Sequence, residues 1–200
     1  MTKKIKNFTA GTPKGRPATS VVLRARLSYV HLDTPWAGAE GNTPKYSVSA
    51  IIPKEDVETV GAVRKAIDAA LTEGVAKCWK GKRPNPKASS FKYPLKDGDE
   101  ERPDDPAYAG AWFFGANSSS QPALVDRLKH PVGPEAFYSG CWGLISVNFF
   151  PFAQGSNGVS AGLNSVLKWA DDDALGGNRD GAHDFDDFDT EPDEEELEDL

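Results

Sequence analysis

Residues 136–169 read AFYSGCWGLISVNFFPFAQGSNGVSAGLNSVLKW, and the fold follows from them. Cys141, Gly143, Ile145, Val147 and Phe149 share one parity. Val159, Ala161, Leu163 and Ser165 repeat the alternation more weakly, past an Asn-Gly turn signal at Asn157–Gly158. Period two on either side of a turn predicts adjacent antiparallel strands, each with one buried face. The interval from Phe149 to Val159 is too long for a two-residue hairpin. Nothing in the stretch has the look of catalytic chemistry.

Working outward, residues 20–29 (SVVLRARLSY) predict a strand with Val21, Leu23, Ala25 and Leu27 on one side. Arg24 and Arg26 lie on the other, as a short positive stripe that suits either a solvated surface or a phosphate backbone. Residues 30–44 read as a polar loop containing His31 and Trp36. There a tryptophan either covers a core edge or stacks on a base, and both readings stay open. Residues 45–52 alternate again, placing Tyr46, Val48, Ala50 and Ile52 inward and Lys45, Ser47 and Ser49 outward. Pro53 suits a helix start, and Val57, Val60, Val63, Ile67, Leu71 and Val75 then step by three or four, predicting a helix to about residue 78. Residues 111–117 and 122–127 supply further strand-like runs. The expected architecture is mainly β: an OB-type antiparallel five-stranded barrel with one principal helix and long loops. A two-sheet sandwich is the alternative, because strand order is not readable from periodicity.

Charge divides the chain. Residues 1–170 hold 22 Lys or Arg against 15 Asp or Glu, a net of +7; residues 171–200 hold one Arg against 15 acids, a net of −14. The division predicts three parts: a flexible basic arm at 1–19, a domain at 20–170 and a disordered acidic tail at 171–200. Phe185, Phe188, Leu197 and Leu200 interrupt the acid and fit a partner-recognition motif. The tail also suits a polyanion mimic that lies in a basic groove, or simple solubilisation.

The most basic stretch is KCWKGKRPNPKASSFKY at 77–93, which has no acidic residue. Lys80, Lys82, Arg83, Lys87 and Lys92 would meet phosphates, while Trp79, Phe91 and Tyr93 would offer faces to bases of any identity. A basic surface loop anchored by its aromatics is the competing account. With Arg24, Arg26, Lys45 and Trp142 these residues form the candidate nucleic-acid face. The acidic run at 97–105 lacks the spacing of a calcium loop and reads as a polar connection pairing with the basic loop.

Enzyme chemistry finds no foothold. The histidines are His31, His130 and His183, and no GxSxG, GxxxxGK[ST] or GxGxxG motif is present. Cys78 and Cys141 form no CxxC pair and no zinc spacing, so no cofactor or metal is expected. The basic N-terminus lacks the apolar core of a signal peptide, and no run approaches the about 20 apolar residues that span a bilayer. A cytoplasmic protein is expected.

Several segments resemble the small phage-encoded single-stranded DNA-binding proteins long catalogued as a domain of unknown function. They are LSYVHLDTP (27–35), KYSVSAIIPK (45–54), PLKDGDEERPDDPAYAGAWFFGAN (94–117), PALVDR (122–127), YSGCWGLISVNFFPF (138–152) and GVSAGLNSVLKW (158–169). The run DGDEERPDDPAYAG at 97–110 is the most specific, and the resemblance spans roughly residues 20–180. It implies an OB-type fold, sequence-nonspecific single-stranded DNA binding and work in phage replication or recombination, hence the host cytoplasm. It also implies an acidic tail that contacts replication proteins and competes with DNA. Tails of that class commonly end in an aromatic residue, whereas this chain ends in Leu200. A protein-binding adaptor of the replication machinery is the competing function, an RNA ligand shares the same chemistry, and a homodimer stays open.

Overall fold

The computed structural model describes residues 8–38 and 41–176. Its centre is the hairpin of β7 (Trp142–Phe152) and β8 (Asn157–Ala170). Cys141, Ile145 and Val147 are fully buried and Phe149 nearly so, as the parity requires. Four residues, 153–156, join the strands, so Asn157–Gly158 opens β8 instead of making the turn. In β8, Val159, Ala161 and Leu163 face inward, but the register slips opposite Ser146–Val147. This bulge inserts Asn164, so Val166 and not Ser165 continues the buried series.

The first strand, β1 (Ser20–Trp36), is longer than its alternation suggests. Its first half pairs with β7 (Ser20↔Asn148 to Arg26↔Trp142) and its second half with β2 (Lys45–Pro53). Tyr29 has φ +46° where the register shifts between Ser28 and His31. That irregularity places Leu27 and Ser28 in succession inside, breaks the period and carries the strand through residues that read as loop. After α1 (Val57–Lys77) come the two-residue β3 (Phe91–Lys92) and β4 (Lys96–Asp97), then the four-residue α2 (Gly98–Glu101). Next are β5 (Ala111–Ser118) and the short β6 (Ala123–Val125).

β5 pairs with β2 from Tyr46 to Pro53 and, in parallel, with β8 through Ala116↔Ala161 and Asn117↔Gly162. These last pairs close the circuit β1–β2–β5–β8–β7–β1, a five-stranded barrel of the OB type. The free edge of β8 receives β3, β5 and β6 one after another.

Pro53 ends β2, and Asp56 caps α1 instead, its carboxylate accepting the Thr59 N–H at 3.1 Å. Val60, Val63, Ile67 and Leu71 are buried, whereas Val57 is exposed beside the cap. The helix packs on β7, β1 and β8 and shares one continuous core with the barrel interior. Residues 8–19 of the expected arm lie on the body: Gly11 exchanges hydrogen bonds with Val22, and Ala10 is buried. Residues 1–7 lie outside the described residues.

Candidate nucleic-acid interface

The basic loop keeps its charges at the surface but not its aromatics. Trp79 is 6% exposed, and its indole N–H donates to the Phe152 carbonyl at 3.1 Å. Its six-membered ring lies where a Cβ on Gly74 would be, 2.4 Å from Trp79 Cζ3. Phe91, 7% exposed, meets it edge-on at 5.7 Å. Both rings belong to the core because the end of α1 leaves a hole that only a large apolar side chain fills, so neither is the base platform expected of it. Tyr93 is half-buried against the same core, and burial pushes its phenol pKa up. Lys80, Lys82, Lys87 and Lys92 are exposed, while Arg83 pairs with Asp68 on α1. The acidic run at 97–105 does not pair with this loop; Asp97 and Asp99 hold Lys54, at the end of β2.

An aromatic platform lies instead on the outer face of β2 and β5. Register pairs Ser47 with Asn117 and Ser49 with Gly115, giving a small, polar floor. At one end His31 and Trp36 stack at 4.9 Å with 14° between their planes, and Trp36 is 55% exposed. Trp36 pairs across the strands with Lys45. A cleft of about 390 Å³ opens there, lined by Trp36, Asn42, Thr43, Lys45, Ser47 and Asn117.

The other end of this floor is roofed by residues 97–110. Buried Tyr108 donates its hydroxyl to Ser49 Oγ at 3.2 Å and meets Phe113 edge-on at 4.8 Å. The Arg102 guanidinium lies 4.7–5.5 Å from the rings of Tyr108, Tyr29 and Phe113, and donates to the Tyr29 hydroxyl at 2.8 Å. Lys54 pins the roof: the hydrogen bonds it donates to Asp97 and Asp99 raise its pKa, and Lys54 in turn lowers that of Asp99. The acidic connection is therefore a clamp on its own segment. Tyr29, His31, Ser47, Asn117 and Arg102 were not legible as site residues individually. The available signal was the outward phase of Lys45, Ser47 and Ser49 beside a loop tryptophan.

The third region is the outer face of β1 and β7. Arg24 lies 5.4 Å over the Trp142 ring, so the structure joins two residues 118 positions apart in sequence. Arg26 neighbours them but engages residues 172 and 173, the root of the acidic tail. Phe185, Phe188, Leu197 and Leu200 lie outside the described residues.

Among the described residues no group of His, Cys, Asp or Glu is arranged to hold a metal, and no helix is long and apolar enough to cross a membrane. The fold is an OB-type barrel, a class whose second and third barrel strands offer a face to oligonucleotides or oligosaccharides. The chain belongs to the family described as "Enterobacter phage Enc34, ssDNA-binding protein", which matches residues 19–197. It is similar to the single-stranded DNA-binding protein of bacteriophage Enc34 in complex with ssDNA: 30% identity and a TM-score of 0.67, over 82% of this chain and 98% of that one. Protein p50 of Acyrthosiphon pisum secondary endosymbiont phage 1 is 28% identical over 180 residues, 86% of this chain and 95% of that protein. The gp2.5 single-stranded DNA-binding protein of bacteriophage T7 shares the fold, with a TM-score of 0.54 at 16% identity, over 86% of this chain and 98% of that one.

Proposed function

We propose that this protein binds single-stranded DNA without sequence preference and protects it during phage replication or recombination. The observation that carries this reading is the open β2–β5 face, where the Trp36–His31 stack and Lys45 overlook a floor of Ser47, Asn117 and Gly115. Stacking is sequence-tolerant because every base has a π-face, and each stack contributes about 1–3 kcal/mol. A floor without bulky side chains lets the strand lie close. Lys80, Lys82, Lys87 and Lys92 supply the diffuse positive field that draws the backbone in and releases its counterions. The relative solved in complex with ssDNA supports the ligand class.

The tail beyond residue 176 holds 12 Asp and Glu against one Arg and competes with DNA for these cations; its hydrophobes are the element available to replication proteins. Anisotropy titration of a fluorescent oligo-dT across a salt series tests both claims. Salt-sensitive binding by the full chain is expected, with a chain ending at residue 176 binding more tightly, most clearly at low salt. Salt-sensitive binding unchanged by the truncation removes the competition and keeps the DNA function; no binding by either folded form removes the function.

A further inference from the structure

Residues 171–175 leave β8 and cross the outer face of β7 and β1 as a strap. Asp171 Oδ1 lies 2.7 Å from Lys168 Nζ and 2.9 Å from the Tyr138 hydroxyl, which also accepts the Asp172 N–H at 3.2 Å. Trp142 donates its indole N–H to Asp172 Oδ2 at 2.8 Å, and Arg26 Nε lies 3.8 Å from the same oxygen. Arg26 Nη2 donates to the Asp173 carbonyl at 2.8 Å. The Leu175 N–H then donates to the Ser139 carbonyl at 2.7 Å, and its side chain packs on the cluster of Ile51, Tyr108, Ala111 and Phe113. Gly140, at φ +118°, makes the crossing possible: a Cβ there would lie 2.2 Å from the Asp173 carbonyl oxygen.

Three donors (Tyr138, Trp142 and Lys168) thus converge on carboxylate oxygens, and the Arg26 guanidinium, which donates to the Gly140 and Asp173 carbonyls, lies beside them as a positive charge. A phosphodiester offers the same acceptors: a negative charge shared by two oxygens, open to a guanidinium, an indole N–H, a phenol and an ammonium. The site favours the anion, since hydrogen bonds from Lys168 and then Tyr138 lower the Asp171 pKa, and those from Trp142 and then Asp173 N–H lower that of Asp172. The strap ends on the Ile51–Phe113 cluster, beside the β2–β5 floor, so one DNA strand can run from that floor onto this face. Asp171 is largely exposed and Asp172 partly so, and solvent-facing pairs of this kind are weak, so the strap is readily displaced.

We infer that the outer face of β1 and β7 is a second seat for the single-strand backbone, formed by Arg26, Tyr138, Trp142 and Lys168 and occupied by the chain's own residues 171–173 until DNA displaces them. This rests on the reading that the β2–β5 face binds single-stranded DNA. It differs from competition by the tail beyond 176, because the occupant is the strap and the seat is a different face.

The test measures the slope of log K against log salt for full-length protein on a long oligo-dT, comparing wild type with Leu175→Ser and with Asp171→Asn/Asp172→Asn. Leu175→Ser loosens the strap without changing any charge, and the double variant serves if that one does not fold. In the wild type, each phosphate that enters the seat displaces a carboxylate, so little net counterion release is seen. With the strap released, two added phosphate contacts steepen the slope by about 1.4, at about 0.7 each. Adding Arg26→Gln to Leu175→Ser brings the slope back toward wild type. Unchanged slopes in folded release variants that still bind DNA overturn the second seat and leave the β2–β5 reading standing. Absence of binding by wild type overturns both.

Discussion

Trp79 and Trp36 invert what their surroundings in the sequence suggest. Trp79 sits in a stretch with six lysines and arginines, where an exposed ring would complete a DNA-binding loop, and it is buried. Trp36 sits in a stretch with little charge, and more than half of its surface is open. The difference lies in what each backbone needs. The end of α1 reaches the barrel with Gly74 facing inward, leaving a ring-shaped gap beside Phe91 and Phe152. The end of β1 has passed the core by Trp36, and His31 is the ring stacked on it. Local charge locates the field that a polyanion feels; core geometry decides which aromatic is left to meet its bases.

The contrast is open to attack in order of expected effect. Trp79→Ala opens a ring-sized cavity and cuts stability by about 3–5 kcal/mol, read as a lowered midpoint in urea. A midpoint close to wild type would mean that this ring is not part of the core. Trp36→Ala should leave that midpoint within about 0.5 kcal/mol while weakening oligo-dT binding about tenfold to a hundredfold. Loss of stability with full affinity would exchange the roles of the two tryptophans.

Trp142 supplies the smallest and sharpest comparison. Its indole N–H faces a carboxylate, Asp172, whereas that of Trp79 faces a backbone carbonyl. The Asp172 pKa is lowered in the fold, so its contribution to strap docking is fully present above the ordinary carboxylate value and is lost as pH falls through the depressed one. In an NMR titration of full-length protein the Trp142 indole proton should shift in that acid range, with the Trp79 proton still until the fold itself gives way. Two indole protons moving together at higher pH would break the distinction.

Much of the fold was legible in the sequence. The parity of Cys141–Phe149, the inward set of β2 and the stripe of α1 are all direct consequences of one buried face per element. The reading stopped wherever a bulge changed the phase: at Tyr29, which hid residues 30–36 of β1, and at Asn164, which moved the buried series from Ser165 to Val166. The candidate site was less legible for a related reason. Joining Arg24 to Trp142, or Trp36 to Asn117, requires pairings between distant strands that no local pattern encodes. Arg102 and its three aromatic neighbours are scattered over residues 29–113 and converge only when the 97–110 segment folds over β5.

The crowded edge of β8 also sets the order in which the molecule can be completed. Four strands take β8 as a partner, and all four (β3, β5, β6 and β7) have been synthesised before its first residue exists. Until residues 157–170 have emerged from the ribosome, the Ala116–Asn117 end of β5 presents an unpaired edge that another chain could join. The proposed DNA-binding floor shares that strand, so it becomes rigid only at the end of synthesis. A message cut short before codon 157 would therefore encode an open sheet with an adhesive border in place of a slightly smaller barrel.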